Sequence, residues 1–493
     1  MSVRVGSLYI MLAVVALSAV ARCNVWLALA ILLLIYIFDR CLKNYHDNIF
    51  FMFFLVAFFV FLMGGQVTHE FFGIALSDTY TKSEYNYLNF AVFLSLSGLG
   101  TGFLLSKLGT GSGTPKPPKE EKTVPISLIK ENGIFENVTL WSFYALVIPW
   151  FLMLIEQGMV VQGGSYLDYY SYRSRLPRAI YYLSNMCPYA LCFFLAAMPA
   201  KKKARIPMLL VLIYAAMSLF IGRRMFFVVY ILLILSYCIF RNIKAKDRKE
   251  EVWLTRRQIV LMILLLPVLL VFLYSYRYFR YGKQSDADNF FEAFLGFFAQ
   301  QGYTANLIPL EHRYHSMLPN DFFSFYDTIK AVRQSFFVKN IMGLDFTYYY
   351  SGSREFMAQH SGSFARAISL KVMGGKYLYG YGTGSCYIAE LLHDFSFWGV
   401  AIGNLIYGFF IGKLMTLKRT GAALGNGVAL TMYMRLLMTP RYNFDYPFAT
   451  ILTGGFWLYL AALFIVCLVA RAISANKEPG ELAAGTADGG AGT

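Results

Sequence analysis

Residues 258–276 read QIVLMILLLPVLLVFLYSY, and this stretch decides the fold. It carries no charged side chain, and about 20 such residues in a helix cross the hydrocarbon core of a bilayer. Arg256-Arg257 precede it, and Arg277 and Arg280 follow it. Similar runs recur along the whole 493-residue chain, which is 57% hydrophobic and only 15% charged. Soluble domains carry roughly 25% charged residues. The charge present is too little to cover soluble surfaces, so a soluble enzyme is excluded. The runs are continuous rather than alternating, which excludes a transmembrane barrel. The expected fold is therefore all-α: a polytopic bundle of about twelve transmembrane helices.

The spans are expected at 7–21, 25–38, 49–63, 86–106, 136–158, 179–199, 206–221, 225–240, 258–276, 386–412, 423–438 and 448–470. Residues 7–38 read either as one long tilted helix or as a hairpin turning at Arg22-Cys23-Asn24. Basic short loops set orientation. Lys107–Lys130, Lys201–Arg205, Arg241–Arg257 and Lys413–Arg419 alternate correctly with these spans and are expected in the cytoplasm. Both termini follow them there, and 277–385 becomes a large outer loop. The chain divides as N-terminal helices 1–108, a cytoplasmic linker 109–135 and central helices 136–276. The outer loop 277–385, C-terminal helices 386–470 and a disordered cytoplasmic tail 471–493 complete it. No internal repeat is visible. The seven cysteines form neither a disulfide framework nor a metal-ligand pattern.

On this topology the inner segments hold 9 Arg and 15 Lys, and the outer segments 14 Arg and 6 Lys. The topology rule accounts for the first group only. Arg offers a planar fork that matches phosphate oxygens, whereas Lys is a hydrated point charge. An Arg-rich outer face points to a phosphate-bearing ligand. The alternative is ordinary salt bridging in a long loop. The outer loop also holds eleven tyrosines, among them Tyr349, Tyr379 and Tyr381. They suit either an interfacial belt or stacking on sugar faces. Phe290–Leu307 reads as an apolar helix along the membrane surface, and Asp321–Val338 as a short amphipathic one.

Arg223 and Arg224 sit at the outer tip of a helical hairpin. Arg277 and Arg280 share a helical face where span 258–276 ends. Arg435 interrupts an apolar run, Arg441 follows Pro440, and Arg354 and Arg366 lie in the large loop. Arg223, Arg224, Arg277, Arg280, Arg366 and Arg441 make a candidate diphosphate clamp. Glu390 lies near the outer membrane edge, where a carboxylate needs a partner or a function. Asp394 follows it one turn on, beside His393. His315 and His360 are lone loop histidines. Asp286 and Asp288 have a metal-binding DxD spacing but read more simply as a solvated loop. Gly380–Ser385 lacks the strand–helix context of a nucleotide loop.

The stretch YGYGTGSCYIAELLHDFSFWGVAIGNLIYGFFIG (379–412) resembles the Wzy-type polysaccharide repeat-unit polymerases of bacterial surface glycans. Glu390, Phe397, Gly399, Gly403 and Gly408 carry that resemblance. GRRMFF (222–227), SYRYFRYG (275–282) and Arg441 add to it. The resemblance implies a membrane-embedded, GT-C-like glycosyltransferase of the bacterial cytoplasmic membrane, with its active site facing outward. It implies undecaprenyl-diphosphate-linked oligosaccharides as substrates, with membrane lipid, flippase and chain-length regulator proteins as partners. No nucleic acid partner and no cofactor are expected. Glu390 or His360 would be the base, and the arginines would replace a metal. An O-antigen ligase and a lipid-linked glycan transporter stay open as alternatives. A cysteine introduced near residue 330 is expected to react with an impermeant maleimide in intact cells. One near residue 249 should react only after permeabilisation.

Overall fold

The computed structural model describes residues 23–76, 80–108, 133–163, 174–248, 251–280, 286–417 and 423–484, with Met11, Val14 and Val15. Among these there is no strand. The long helices are α1 (Val25–Lys43), α2 (Tyr45–Phe58) with its continuation α3 (Gly64–Phe72), α4 (Lys82–Leu108) and α5 (Ile134–Gly163). They continue as α6 (Arg178–Ala196), α7 (Lys201–Phe220), α8 (Arg224–Arg248) and α9 (Arg256–Arg280). The outer segment contains α10 (Phe290–Gln301), α11 (Leu307–Tyr314), α12 (Tyr326–Arg333), α13 (Arg354–His360) and α14 (Phe364–Met373), besides single turns. The chain then forms α15 (Tyr387–Leu417), α16 (Ala423–Leu436) and α17 (Gly454–Ala484).

Ten described helices are long and apolar enough to cross a membrane. Ten of the twelve expected spans coincide with them. Span 7–21 falls almost wholly outside the described residues, as do residues 109–132 of the linker 109–135. Span 423–438 is shorter as a helix than expected. Its helix α16 has 14 residues, a rise of about 21 Å, which is less than a hydrocarbon core. A 3-10 turn at Thr439–Arg441, with Pro440 inside it, follows instead of further helix. Helix α1 begins at Val25 because the Asn24 side chain accepts from the backbone N–H of Trp26 and Leu27. That cap favours the hairpin at 22–24 over one long helix. The backbone of α17 stays helical through Ala484, past Glu478, where the composition reads as tail. Propagating an existing helix costs little.

Two apolar cores lie side by side. One joins α5, α6, α7, α8, α16 and α17, and holds Trp150, Phe193, Tyr237 and Tyr433. The other joins α1, α2, α4 and α15 and reaches into the outer segment through Leu307, Phe323 and Phe364. Helices α4 and α15 approach backbone to backbone. A Cβ on Gly98 would lie 2.7 Å from the Ala401 carbonyl oxygen. A Cβ on Gly102 would overlap the Leu405 carbonyl, and one on Gly408 the Leu99 carbonyl. These are small-xxx-small seams, Gly98/Gly102 of α4 packed on Ala401 and Leu405, and Gly408/Gly412 of α15 packed on Leu99 and Ser106, the spacing that lets membrane helices meet closely. Helix α15 is itself broken at Ser396, whose φ of 54° is left-handed.

The outer segment is packed rather than solvated. It is fastened to α4 by a bidentate pair, Arg313 Nε to Glu84 Oε1 at 2.8 Å and Nη2 to Oε2 at 2.9 Å. The stretch expected as one surface helix over 290–307 stops at Gln301 and continues as a 3-10 turn, Gly302–Asn306. Its change of pitch lets Gly302 lie directly against the Gly65 backbone. The Asp321–Val338 helix shortens to α12, between a 3-10 turn and a π turn.

Gly408→Val should therefore be overpacked, at a cost of about 1–3 kcal/mol. A lowered melting temperature of the detergent-solubilised protein is the readout. Gly455→Ala, which meets open space, should leave it unchanged.

Candidate functional site

The helical connections place the lysine-rich loops at one end of the bundle and Arg223, Arg435 and Arg441 at the other. At the lysine end Lys201 pairs with Glu251 at 3.2 Å and Lys203 with Glu136 at 2.8 Å. At the arginine end a cavity of about 250 Å³ opens between α5, α6, α8 and α16. Trp150, Gln157, Tyr181, Arg223, Arg435 and Tyr446 are among its walls.

Arg435 is the central cation. It sits one residue before the end of α16, facing inward. Its Nη1 donates to the Tyr446 hydroxyl, and its guanidinium lies 5.0 Å from the centre of that ring. Its Nε is buried without a hydrogen-bond partner. A buried guanidinium is tolerated when aromatic faces and hydroxyls surround it, and it is strengthened as an anion receptor by the low local dielectric. Arg223 enters from the tip between α7 and α8, where Gly222 at φ 83° makes the turn. Its Nη1 donates to Gln157 Oε1 at 3.0 Å, and it stacks 3.9 Å over the Phe226 ring.

The six clamp candidates separate. Arg223 lines the cavity. Arg224 turns the other way, donating to the Leu273 carbonyl at 3.0 Å and to Gln300 Oε1 at 3.4 Å. Arg441 donates to Gln301 Oε1 at 2.9 Å. Arg224 and Arg441 thus meet consecutive glutamines at the end of α10. Arg366 lies in the outer segment near Tyr326, Tyr377 and Lys330, with a buried Nη1 that has no partner. Arg277 and Arg280 end α9, and their side chains lie outside the described residues. Arg354 donates to the Tyr377 carbonyl at 3.2 Å. Arg435, left outside the clamp by the sequence reading, is the cation that the fold pairs with Arg223. Its interruption of an apolar run was the signal.

Glu390 is completely buried. Its Oε2 accepts from Phe444 N–H at 2.9 Å, and its Oε1 accepts from the Ser385 hydroxyl. Two more carboxylates act in the same manner. Asp394 accepts from Phe323 N–H and Ser324 N–H, at 3.2 and 2.8 Å. Asp445 accepts from Asp327 N–H and Thr328 N–H, at 3.3 and 2.6 Å. Together they satisfy backbone donors at the starts of the 323–325 turn and α12, where a negative charge also meets the helix dipole. His360 is exposed, stacked 4.2 Å on Phe356, with Nδ1 3.1 Å from the Phe356 carbonyl oxygen. Tyr349 lies beside Arg333, with the guanidinium 5.8 Å from its ring. Tyr379 and Tyr381 are exposed. Asp286 accepts from the Tyr278 hydroxyl at 2.9 Å, and among the described residues neither Asp286 nor Asp288 joins a metal-ligating cluster. Tyr166, Tyr169, Tyr170 and Tyr172 lie outside the described residues.

Asp327 was not singled out in the sequence. It is half-buried, accepts from Asn443 Nδ2 at 3.0 Å and feels the charges of Lys330 and Arg435. Burial pushes its carboxyl up against the pull of those groups. Burial also pushes Asp445 up, to about 7, with Thr328 N–H opposing the rise and neighbouring Asp327 adding to it.

The fold and this site define a polytopic helical membrane protein with a cationic, aromatic-walled cavity at one end of its bundle. The family model described as O-antigen polysaccharide polymerase Wzy matches residues 3–471, and the chain belongs to that family. It is an integral-membrane enzyme that polymerises O-antigen polysaccharide. No curated protein and no solved structure matches it.

Asp445 has a pH consequence. Its folded-state pKa lies above the unfolded value, so the fold favours the protonated form. That stabilisation is complete below about pH 4 and is lost as pH rises through about 7. Asp445→Asn is neutral throughout. The melting temperature of the wild-type protein should therefore fall relative to Asp445→Asn between pH 5 and pH 8, values chosen to bracket that titration.

Proposed function

We propose that the protein is a glycosyltransferase that joins undecaprenyl-diphosphate-linked repeat units at the outer face of the bacterial cytoplasmic membrane. Both termini are then cytoplasmic. The observation that carries the reading is Arg435, a half-buried guanidinium with a buried, unpartnered Nε, which lines the same polar cavity as Arg223. Apolar and aromatic walls beside two arginines suit a lipid diphosphate, with its isoprenoid running into the membrane.

The growing lipid-linked glycan is the donor. Attack by a hydroxyl of the single lipid-linked repeat unit breaks the anomeric C–O bond and releases undecaprenyl diphosphate. Negative charge develops on the leaving diphosphate. Arg223 and Arg435 are already oriented toward that charge, which is how a preorganised site lowers the barrier. Arg277 and Arg280 remain candidates for the clamp by their place in the sequence, and Arg224 and Arg441 hold the end of α10 through Gln300 and Gln301. The cations do a metal's work of charge neutralisation. Arg333, Arg366, Tyr349, Tyr379 and Tyr381 offer the glycan a cationic, aromatic path across the outer segment.

The acceptor hydroxyl must lose a proton. Asp327 suits this role, since it is half-buried, near Arg435, and its raised pKa makes it a better base. Glu390 is a positioning residue in this reading, holding Phe444 and through it the Asn443–Tyr446 turn. Membership of the polymerase family ranks this reading above the ligase and transporter alternatives. Lipid-linked repeat units, serving as both donor and acceptor, should suffice for elongation in vitro without a second type of acceptor.

Arg435→Ala and Arg223→Ala should each lower turnover by roughly 10²–10³-fold. The lysine variants should recover part of it, because charge remains while the fork is lost. The glycan ladder of a complemented deletion strain is the readout. Normal ladders from both alanine variants would move the site to Arg277, Arg280 and the outer segment. Asp327→Asn should abolish elongation in a protein of unchanged melting temperature, whereas Glu390→Gln should lower the melting temperature and elongation together.

A further inference from the structure

Glu311, His315 and His393 converge away from the diphosphate cavity. Glu311 lies on α11 and is 1% exposed. His315 follows it at i+4, at the C-cap of α11 where a 3-10 turn begins. His393 comes from the first turns of α15. One donor atom from each residue lies within 4.8 Å of the others. His315 Nδ1 is 2.6 Å from Glu311 Oε1, and His393 Nδ1 is 3.4 Å from the same oxygen. The two rings are 4.6 Å apart.

Hydrogen bonding alone accounts poorly for this arrangement. A single carboxylate oxygen faces two imidazole nitrogens from separate elements. His393 Nδ1 is buried and has no hydrogen-bond partner. Leaving such a nitrogen unpaired is costly. A divalent cation removes the conflict, because each imidazole then contributes a lone pair and the carboxylate a charge. Four donors around a tetrahedral ion, with bonds of about 2.0–2.2 Å, sit roughly 3.4 Å apart. The three groups here reach that spacing with side-chain adjustments of about an ångström. The Tyr87 hydroxyl lies near Glu311, and groups beside metal ligands help to orient them.

We propose that Glu311, His315 and His393 bind a divalent transition metal of the Zn²⁺ type, leaving its fourth position open to water on the exposed His315 side. The ion clasps α11 to the start of α15. His393 packs 4.8 Å from the Phe323 ring, so the clasp adjoins the 323–328 stretch that Asp394 and Asp445 hold. Its role is structural. It takes no part in diphosphate cleavage, and it is independent of where the donor lipid binds.

The test uses the full chain in detergent, purified on an affinity tag without histidines and stripped by a chelator. Zn²⁺ should bind with one saturable equivalent per chain and raise the melting temperature. Co²⁺ in its place should give the visible absorption of a low-coordinate nitrogen–oxygen site. His315→Ala and His393→Ala should weaken Zn²⁺ binding by more than the roughly 10–100-fold expected for loss of an outer-shell partner. His315 is largely exposed, so His315→Ala should melt like the wild type in chelator, which separates ligand loss from misfolding. His315→Cys should keep the Zn²⁺-dependent rise. No saturable Zn²⁺ binding in the wild type, or unchanged binding in both alanine variants, would overturn the proposal and leave Glu311 as a hydrogen-bonding hub.

Discussion

The close contact of α4 with α15 is the constraint from which the rest of the structure follows. Two helices in a membrane gain little from burying apolar side chains against each other, because lipid is equally apolar. They associate where small residues let backbones touch and dispersion contacts multiply. Gly98, Gly102, Gly408 and Gly412 supply that surface. The seam fixes the lower part of α15, and Ser396, held at φ 54°, redirects its upper part. A left-handed non-glycine residue costs about 1–3 kcal/mol, and the packing on either side sustains it. The redirected turns carry Glu390, His393 and Asp394, all facing protein.

From there the outer segment is held by carboxylates. In a site removed from water, backbone N–H groups at the starts of short helices need acceptors. Asp394 and Asp445 provide them for the 323–328 stretch, and Glu390 does so for Phe444. The 443–446 turn is therefore tied to both the outer segment and α15. That turn presents Tyr446 to Arg435. The chain of support thus runs from a glycine seam, through three carboxylates, to the orientation of a single guanidinium. Such support matters because electrostatic stabilisation depends on groups that need not reorganise during reaction.

The arginine end combines two kinds of cation. Arg224 and Arg441 satisfy glutamines at the end of α10 and act as fasteners. Arg223 and Arg435 border open volume and rest on aromatic rings, which stabilise the charge, and Arg435 keeps a buried Nε without a partner. Arg223 and Arg224 are neighbours at one hairpin tip, yet their surroundings make the first a receptor and the second a brace.

Much of this was legible in the chain itself. Uninterrupted apolar runs dictate membrane helices, because a backbone in lipid must bond internally. Basic short loops sort one end of the bundle from the other. The surplus of Arg over Lys marks the end where a ligand is expected, and residues 379–412 carry the family resemblance. The pairing of Arg223 with Arg435 was not legible, since 212 positions of sequence numbering separate them. Nor was the burial of Glu390, or the joining of His315 and His393 through Glu311. Periodicity reports which face of a helix is apolar, but not which other element covers it. That is settled by tertiary packing, where the spacing of glycines on two distant helices and the need to satisfy buried donors bring particular side chains together.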